Sequence, residues 1–139
     1  MAKATWTGGV TVGITKIDVN TEPTYWHADA VVAGDFVFTS YQAGVYDDEG
    51  RLIDTVEGQT EQAIKNLVGT LAKAGATLED VVKVTLLVRK VEEFKPAIMA
   101  YGRYFGEICP ARMTIVSAFL GDDHLVQLDA IAYKPQTSV

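Results

Sequence analysis

The chain has 139 residues, of which 48% are hydrophobic and 22% charged, a composition typical of a globular protein with one buried core. Its net charge is −6 and its basic residues are scattered, which argues against a nucleic-acid partner because phosphate binding needs a basic patch. No apolar stretch approaches the roughly 20 residues of a membrane span, and the single cysteine, Cys109, excludes an internal disulfide. The first residues lack the apolar core of a signal peptide, so we expect the protein in the cytoplasm. We also expect one domain over residues 1–139 and no membrane partner.

The first half of the chain predicts three strands and a helix. Residues 11–16 alternate weakly and predict a first strand, and the polar residues 18–29 predict a loop, at least in part. Residues 30–32 and 36–39 predict a hairpin whose turn contains Gly34, because glycine adopts the positive φ that such a turn needs. After a long acidic loop, a helix is predicted at about residues 57–74, with Gly75 as its cap. Its predicted apolar stripe consists of Ala63, Ile64, Leu67, Val68 and Leu71.

The second half predicts a strand, a helix and two further strands. Residues 80–88 are β-branched and bounded by polar residues, which indicates a strand. A second helix is predicted at about 92–105, where Pro96 is tolerated in the first turn because its missing amide has no partner there. Strands at about 112–119 and 124–133, joined by a polar GDD link, end the chain. The order predicts an α+β fold: a mixed six-stranded sheet with two helices on one face.

The last strand suggests that the sheet has a second covered face. Val126, Leu128, Ala130 and Ala132 alternate with a mixed set that is too apolar for free water and too polar for a sealed core. The mixed set consists of Leu125, Gln127, Asp129, Ile131 and Tyr133. A face of this kind is typical of a subunit interface that contains a wet site, so we expect a homo-oligomer.

Three segments together resemble the YjgF/RidA family of reactive-intermediate deaminases, also labelled liver perchloric-acid-soluble protein. They are VFTSYQAG, GQTEQAIKNLVGTLAKAGATLEDVVKVTLLV and CPARMTIVSAFLGDDHLVQLDAIAYK, and the likeness runs from about residue 25 to residue 134. The resemblance implies a chorismate-mutase-like fold, a homotrimer around an inner β-barrel, and ligand sites between subunits. It also implies hydrolysis of enamines and imines such as 2-aminoacrylate, without a metal or a cofactor.

Arg112 matches the arginine of the family's PAR motif, which implies that it binds the substrate carboxylate. The chemistry fits, because a guanidinium is a planar fork that matches a carboxylate with two hydrogen bonds. The alternative is a structural ion pair with Asp129 or Glu107. A buried guanidinium without a partner would cost several kcal/mol, so we expect an anion or water in its cleft.

The resemblance also implies that Ser40, Tyr41 and Thr114 line the substrate pocket. Ser40 matches a turn serine of the family that contacts the ligand, and its alternative role is to bond the backbone of its own turn. Tyr41 replaces the family's glycine, so it either narrows the pocket or adds a phenol. Thr114 replaces a cysteine and is expected on the same strand face as Arg112.

Gln127 is the main departure from the family, which has a glutamate here that positions or activates the attacking water. An amide orients water but does not accept its proton at neutral pH. Asp129, roughly 7 Å along the same strand face, and His27, at the position of a pocket tyrosine, are the alternative proton acceptors. Histidine is the side chain whose charge changes most readily near neutral pH, and the alternative for His27 is a surface loop residue.

Three functions remain open from the sequence. The first is deamination of a small carboxylate-bearing enamine or imine, and the second is a trimer that binds such a metabolite without converting it. The third is an endoribonuclease, a label that some family members carry and that the acidic composition disfavours. His124 beside Asp122 and Asp123 is interpreted as part of a solvated turn rather than as a metal site.

Overall fold

The computed structural model describes residues 13–135, which form seven strands, two α-helices and two short 3-10 helices, Leu78–Asp80 and Val91–Glu93. The strands are β1 Ile14–Asn20, β2 His27–Ala33, β3 Phe36–Thr39, β4 Gln42–Ala43, β5 Val81–Val88, β6 Ala111–Val116 and β7 Val126–Tyr133. The α-helices are α1 Val56–Lys73 and α2 Phe94–Phe105. Within the described part of the chain, neither helix is long and apolar enough to cross a membrane.

All strands belong to one mixed sheet with the order β1-β2-β3-β7-β5-β6, and β4 also pairs with β7. The predicted mixed α+β sheet is therefore confirmed, but the predicted strand number of six is wrong by one. The additional strand β4 has two residues, and it is defined by pairing of Gln42 with Leu128 and of Ala43 with Gln127. Its residues lie in the segment predicted as a loop, since two residues carry no periodicity.

The last two strands are not neighbours in the sheet, because β5 lies between them. β5 pairs with β6 in parallel, and the chain between these two strands contains α2, as a parallel connection requires. β5 pairs with β7 in antiparallel. The connection from β6 to β7 covers residues 117–125 and is longer than the predicted GDD link.

The N-terminal boundaries differ from the predicted ones. β1 extends to Asn20, and β2 begins at His27, so much of the predicted loop at 18–29 is paired strand. Residues 11–12 of the predicted first strand lie outside the described residues. The hairpin turn is confirmed, with Gly34 at φ +60°.

Helix α1 begins after Thr55, whose side chain accepts a hydrogen bond from the Gly58 N–H. The predicted stripe is confirmed except for Val68, which is 42% exposed. The buried face is rotated towards Gln59 and Thr60, two polar residues that are fully buried and hydrogen-bonded to backbone carbonyls. Hydrophobic periodicity could not locate this part of the face because its residues are polar.

Buried residues of both helices form one core with the alternate residues of β5 and β7, so the helices lie on the same face of the sheet. The predicted set on β7 is confirmed as core, since Val126, Leu128, Ala130 and Ala132 are buried. No described element covers the opposite face, which we call the open face. Six large apolar side chains on this face are 39–54% exposed. They are Ile14, Phe36, Phe38, Met113, Ile115 and Tyr133.

Candidate functional site

Arg112 lies on edge strand β6 and faces the same side of the sheet as the helices. Its cross-strand partner is Val84 of β5, whose side chain is buried under the helices, and cross-strand partners share a face. Arg112 lines a cleft of about 460 Å³ between β6 and the start of α2. This arginine cleft consists of Val88, Val91, Phe94, Arg112, Thr114 and Val116.

Side chains of the cleft hold the Arg112 guanidinium in place. Its Nε donates a hydrogen bond to Thr114 Oγ1 at 3.0 Å. The guanidinium carbon lies 5.5 Å from the ring centroid of Tyr101 and 6.0 Å from that of Phe94, within the range of cation–π attraction. The expectation that Thr114 shares a strand face with Arg112 is confirmed.

No carboxylate of residues 13–135 forms an ion pair with Arg112. Asp129, the first of the two alternative partners, pairs with Thr85 and faces the open side of the sheet. Arg112 is also exposed rather than buried, so the absence of a paired carboxylate carries no large desolvation cost. A structural ion pair therefore does not account for this arginine.

Tyr101 adds a polar group that the sequence did not reveal as part of the site. Its side chain is only 5% exposed, and its hydroxyl lies close to the Arg112 guanidinium without forming a well-aligned hydrogen bond to it or to any other described residue. Burial raises the pKa of the Tyr101 phenol, and the neighbouring positive charge of Arg112 opposes this shift. The sequence predicted Tyr101 only as core, from its helical spacing.

Gln127 lies on β7 and faces the open side of the sheet, like its cross-strand partner Leu87. Its side-chain amide nitrogen lies 3.1 Å from Nδ1 of His124. The His124 ring is 6.5 Å from the ring centroids of both Tyr41 and Phe119. We call these four residues the histidine–glutamine cluster.

A buried side chain of helix α1 fixes the backbone on both sides of His124. Gln59, which is 0% exposed, donates a hydrogen bond to the Asp123 carbonyl at 2.8 Å. The same side chain accepts a hydrogen bond from the Leu125 N–H at 2.9 Å. The turn predicted as a solvated loop is therefore tied to the core next to His124, although Asp122 and Asp123 themselves are exposed.

The remaining predicted residues lie near the cluster or beyond it. Ser40 donates a hydrogen bond to the Asp29 carbonyl of β2 at 3.3 Å, so its hydroxyl bonds the backbone of a strand and not, as its alternative role predicted, that of its own turn. Tyr41 is exposed and contacts His124 by its ring edge. Asp129 is half-buried on the same face as Gln127, as predicted.

His27 is the first residue of β2, so the alternative that placed it in a loop is wrong, although it is exposed. It lines a surface hollow of about 540 Å³ that also contains Asp18, Tyr25 and Asp29. No group of three or more His, Cys, Asp or Glu side chains within residues 13–135 is arranged to hold a metal ion, neither here nor around His124.

Within one chain, the predicted site residues form two separate groups. Arg112 and Thr114 lie on the helix-covered face, and Gln127 and Asp129 lie on the open face. Strand β5 separates β6 from β7, so the two groups are also about 10 Å apart across the sheet. One small molecule cannot contact both groups of the same chain.

Comparison with known proteins places this fold and its motifs in a family. The family model described as Endoribonuclease L-PSP matches residues 18–134. The chain belongs to this family. A RutC family protein of Pyrococcus abyssi is 35% identical over 109 residues, which are 78% of this chain and 86% of that protein.

Two further relatives connect the family to its other names. Reactive Intermediate Deaminase A, a chloroplastic protein of Arabidopsis thaliana, is 33% identical over 76% of this chain and 57% of its own length. The crystal structure of a YjgF/YER057c/UK114 family member from Mycobacterium tuberculosis is 25% identical, with a TM-score of 0.75 over 86% of this chain and 98% of that chain. The resemblance to the YjgF/RidA family is therefore confirmed, and so is the family's α+β fold.

Proposed function

We propose that the protein hydrolyses a small carboxylate-bearing enamine or imine, of the 2-aminoacrylate type, to a keto acid and ammonia. The observation that carries the proposal is Arg112: an ordered guanidinium in a cleft, without a carboxylate partner among the described residues. A fork of this kind recognises carboxylates by paired hydrogen bonds. The Arabidopsis thaliana relative is named a reactive-intermediate deaminase, which supports this reaction class.

The working site requires two copies of the chain. Arg112 and Gln127 face opposite sides of one sheet, so an arginine cleft can meet a histidine–glutamine cluster only across a subunit boundary. The open face offers such a boundary, because covering its exposed apolar side chains with a second copy removes them from water and lowers the free energy. The assembly we propose is the trimer with an inner barrel that the family resemblance implies.

In the proposed reaction, the arginine cleft binds the carboxylate and thereby fixes the position of the C=N carbon. Thr114 holds the guanidinium in plane, while Ser40 and Tyr41 lie on the side of the cluster. Gln127 orients a water by hydrogen bonds. Attack on the protonated imine gives a carbinolamine, which then expels ammonia, and positioning alone supplies part of the acceleration.

A second candidate function is a trimer that binds a carboxylate metabolite without converting it. The observation that favours it is Gln127 itself, since the amide cannot accept a proton from water at neutral pH. Both candidates use the arginine cleft in the same way. They differ only in what happens after the ligand is bound.

The test of the arginine cleft compares Arg112→Ala with Arg103→Ala. Arg103 is an exposed arginine of α2 that pairs with Glu61, so its removal controls for a lost surface charge. 2-Aminoacrylate is generated in situ by a serine dehydratase, and keto acid formation is followed with and without the protein. We expect Arg112→Ala to lower kcat/KM at least 100-fold, because it removes two charged hydrogen bonds, and Arg103→Ala to change it less than about twofold. Equal activity of the two variants would refute the proposed role of Arg112.

Gln127→Glu separates the two candidate functions. If the natural protein is a deaminase, wild type hydrolyses the imine and the substitution changes the rate without creating the activity. If only Gln127→Glu is active while wild type binds the carboxylate, the binding function is correct. Light scattering after size exclusion tests the assembly, with an expected mass of three times the 15.1 kDa of one chain.

A further inference from the structure

His124 is a titratable side chain that is built into the site but absent from the roles discussed so far. Its ring is in hydrogen-bond distance of Gln127, with the amide nitrogen 3.1 Å from Nδ1. Neither His27 nor Asp129 has a hydrogen bond to Gln127 within the described part of the chain. His124 is therefore the proton-accepting group in direct contact with the residue proposed to orient the water.

The surroundings of His124 fix the ring on several sides. Its N–H donates to the Gly121 carbonyl at 3.2 Å, and the ring packs against Gly121, where an added Cβ would come within 2.5 Å of Cδ2. Tyr41 and Phe119 flank the ring. The buried Gln59 side chain forms hydrogen bonds with the backbone of the residues immediately before and after His124. An exposed turn histidine without a role would need none of these constraints.

The contact with Gln127 determines which ring nitrogen is available. Half a rotation of the amide exchanges its oxygen and nitrogen, so Gln127 can donate to Nδ1 or accept from an Nδ1–H. When the amide oxygen accepts from Nδ1–H, Nε2 keeps its lone pair and can take a proton. The edge of the ring that carries Cδ2 and Nε2 faces Gly121, where an added Cβ would come within 2.9 Å of Nε2, so the glycine keeps a side chain away from that nitrogen.

We propose that His124 is the proton acceptor of the hydrolysis and that Gln127 is its positioning residue. This inference rests on the proposed function. A proton passes from the attacking water to Nε2 of His124 as the water oxygen bonds to the imine carbon, and the C=N electron pair moves onto nitrogen. The imidazolium then returns the proton to the amine, which leaves as ammonia while the C–O bond becomes a carbonyl and the hydroxyl proton passes to Nε2 of His124. The released ammonia takes up this proton, so the protonated imine and water give the keto acid and ammonium. The pair thus replaces the glutamate that other family members carry at the position of Gln127.

The experiment uses His124→Asn in two backgrounds, wild type and Gln127→Glu. Asparagine keeps a polar group that can bond Gln127 but cannot accept a proton. In the wild-type background we expect kcat to fall about 100-fold or more, the usual size of a general-base contribution, with pyruvate affinity by calorimetry changed less than about twofold. In the Gln127→Glu background the carboxylate serves as base, so the same substitution should cost less than about threefold.

The outcomes separate the inference from the function on which it depends. An active wild type that depends on Arg112 and keeps its kcat in His124→Asn overturns the role of His124 alone. Equal losses of kcat in both backgrounds mean that His124 has only a structural role, which also overturns it. A wild type that binds pyruvate but does not accelerate hydrolysis overturns the proposed function and the inference together. The matched control is Asp122→Asn, which removes an exposed charge in the same turn and should leave kcat unchanged. If His124→Asn does not fold, His124→Gln replaces it.

Discussion

The arginine cleft and the histidine–glutamine cluster differ in face, in chemistry and in the way they are held. The cleft lies beside the helices and offers a permanent positive charge, whereas the cluster lies on the open face and offers an amide and an imidazole. Arg112 is oriented by a residue two positions away, whereas His124 is held by Gln59, more than 60 positions away. Under the proposed function, the groups for recognition and for proton transfer are therefore built independently in this chain and meet only in an assembly.

The largest expected effect comes from recombining the two regions on different chains. Arg112→Ala and Gln127→Ala, purified as mixed oligomers from co-expression, should be more active than either variant alone. Random mixing in a cyclic trimer gives about a quarter of the sites an intact cleft facing an intact cluster. Keto acid formation per milligram of protein is the measurement.

The control for this recombination mixes Arg112→Ala with Arg112→Gln, which can never restore the arginine. Activity of the first mixture that is no higher than the mean of its two parents would contradict a site shared between chains.

A second prediction breaks the cluster and leaves the cleft intact. Gln59→Leu keeps the buried volume but removes the bonds to the Asp123 carbonyl and the Leu125 N–H. We expect a free energy of unfolding lower by about 2–3 kcal/mol, because buried polar groups lose their partners, and a kcat at least tenfold lower. Pyruvate affinity, which under the proposed function depends on Arg112, should hardly change. Urea unfolding and steady-state kinetics measure the two effects.

Helix α1 supplies a matched control in Gln62, which is also buried but bonds Asp48 and Asn66 instead of the turn. Gln62→Leu should lower stability without the loss of kcat. If both variants lose kcat equally, the fall reflects general destabilisation of the helix.

A third prediction sharpens the description of the cleft through Tyr101. Tyr101→Phe removes a buried hydroxyl without a well-aligned hydrogen-bond partner in the described chain, so the free protein should become about 1 kcal/mol more stable. Pyruvate should bind several-fold more weakly, because the hydroxyl lies beside the Arg112 guanidinium. Tyr104→Phe on the same helix is the control and should change neither quantity by as much.

The pH dependence of stability tests the same side chain. Burial raises the pKa of Tyr101, so the folded state holds the phenolic proton more tightly than the unfolded state does. This contribution to stability is complete below the ordinary tyrosine pKa of 10.0 and is lost as the pH rises above it. The difference in unfolding free energy between Tyr101→Phe and wild type should therefore widen above pH 10, and a constant difference would contradict this.

The smallest expected effect concerns the orientation of the arginine. Thr114→Val preserves shape and strand propensity but removes the acceptor of the Arg112 Nε bond. One hydrogen bond contributes about 1 kcal/mol, so KM should rise about fivefold while kcat and the melting temperature stay the same. Thr114→Ser should restore KM, and a KM unchanged in Thr114→Val would show that ring contacts alone hold the guanidinium.

Local patterns in the sequence predicted most of the fold. The 3.6-residue period located both helices, and the alternation in β7 identified its buried set, because those signals are local. The sequence did not predict the two-residue strand β4 or the early start of β2, since both depend on pairing with distant residues. The position of β5 between the last two strands is a property of the whole sheet and has no local signal.

The sequence predicted those parts of the candidate site in which a single residue indicates its own chemical role. Arg112 and Gln127 were identified by their motifs, but their opposite faces follow from cross-strand register. The environment of His124 depends on Gln59, whose polar side chain gives no sign of burial in an amphipathic pattern. A polar residue on the apolar side of a helix is the one sequence signal that could have indicated it.

The contacts around Arg112 also bear on the entropy of ligand binding. An arginine side chain that is free in solution loses up to about 2 kcal/mol of rotamer entropy when it is immobilised. Thr114 and the two aromatic rings impose much of that order already in the folded chain, so the proposed carboxylate ligand would not pay for it on binding. Under the proposed function, the carboxylate would therefore bind to an arginine side chain that does not have to rearrange.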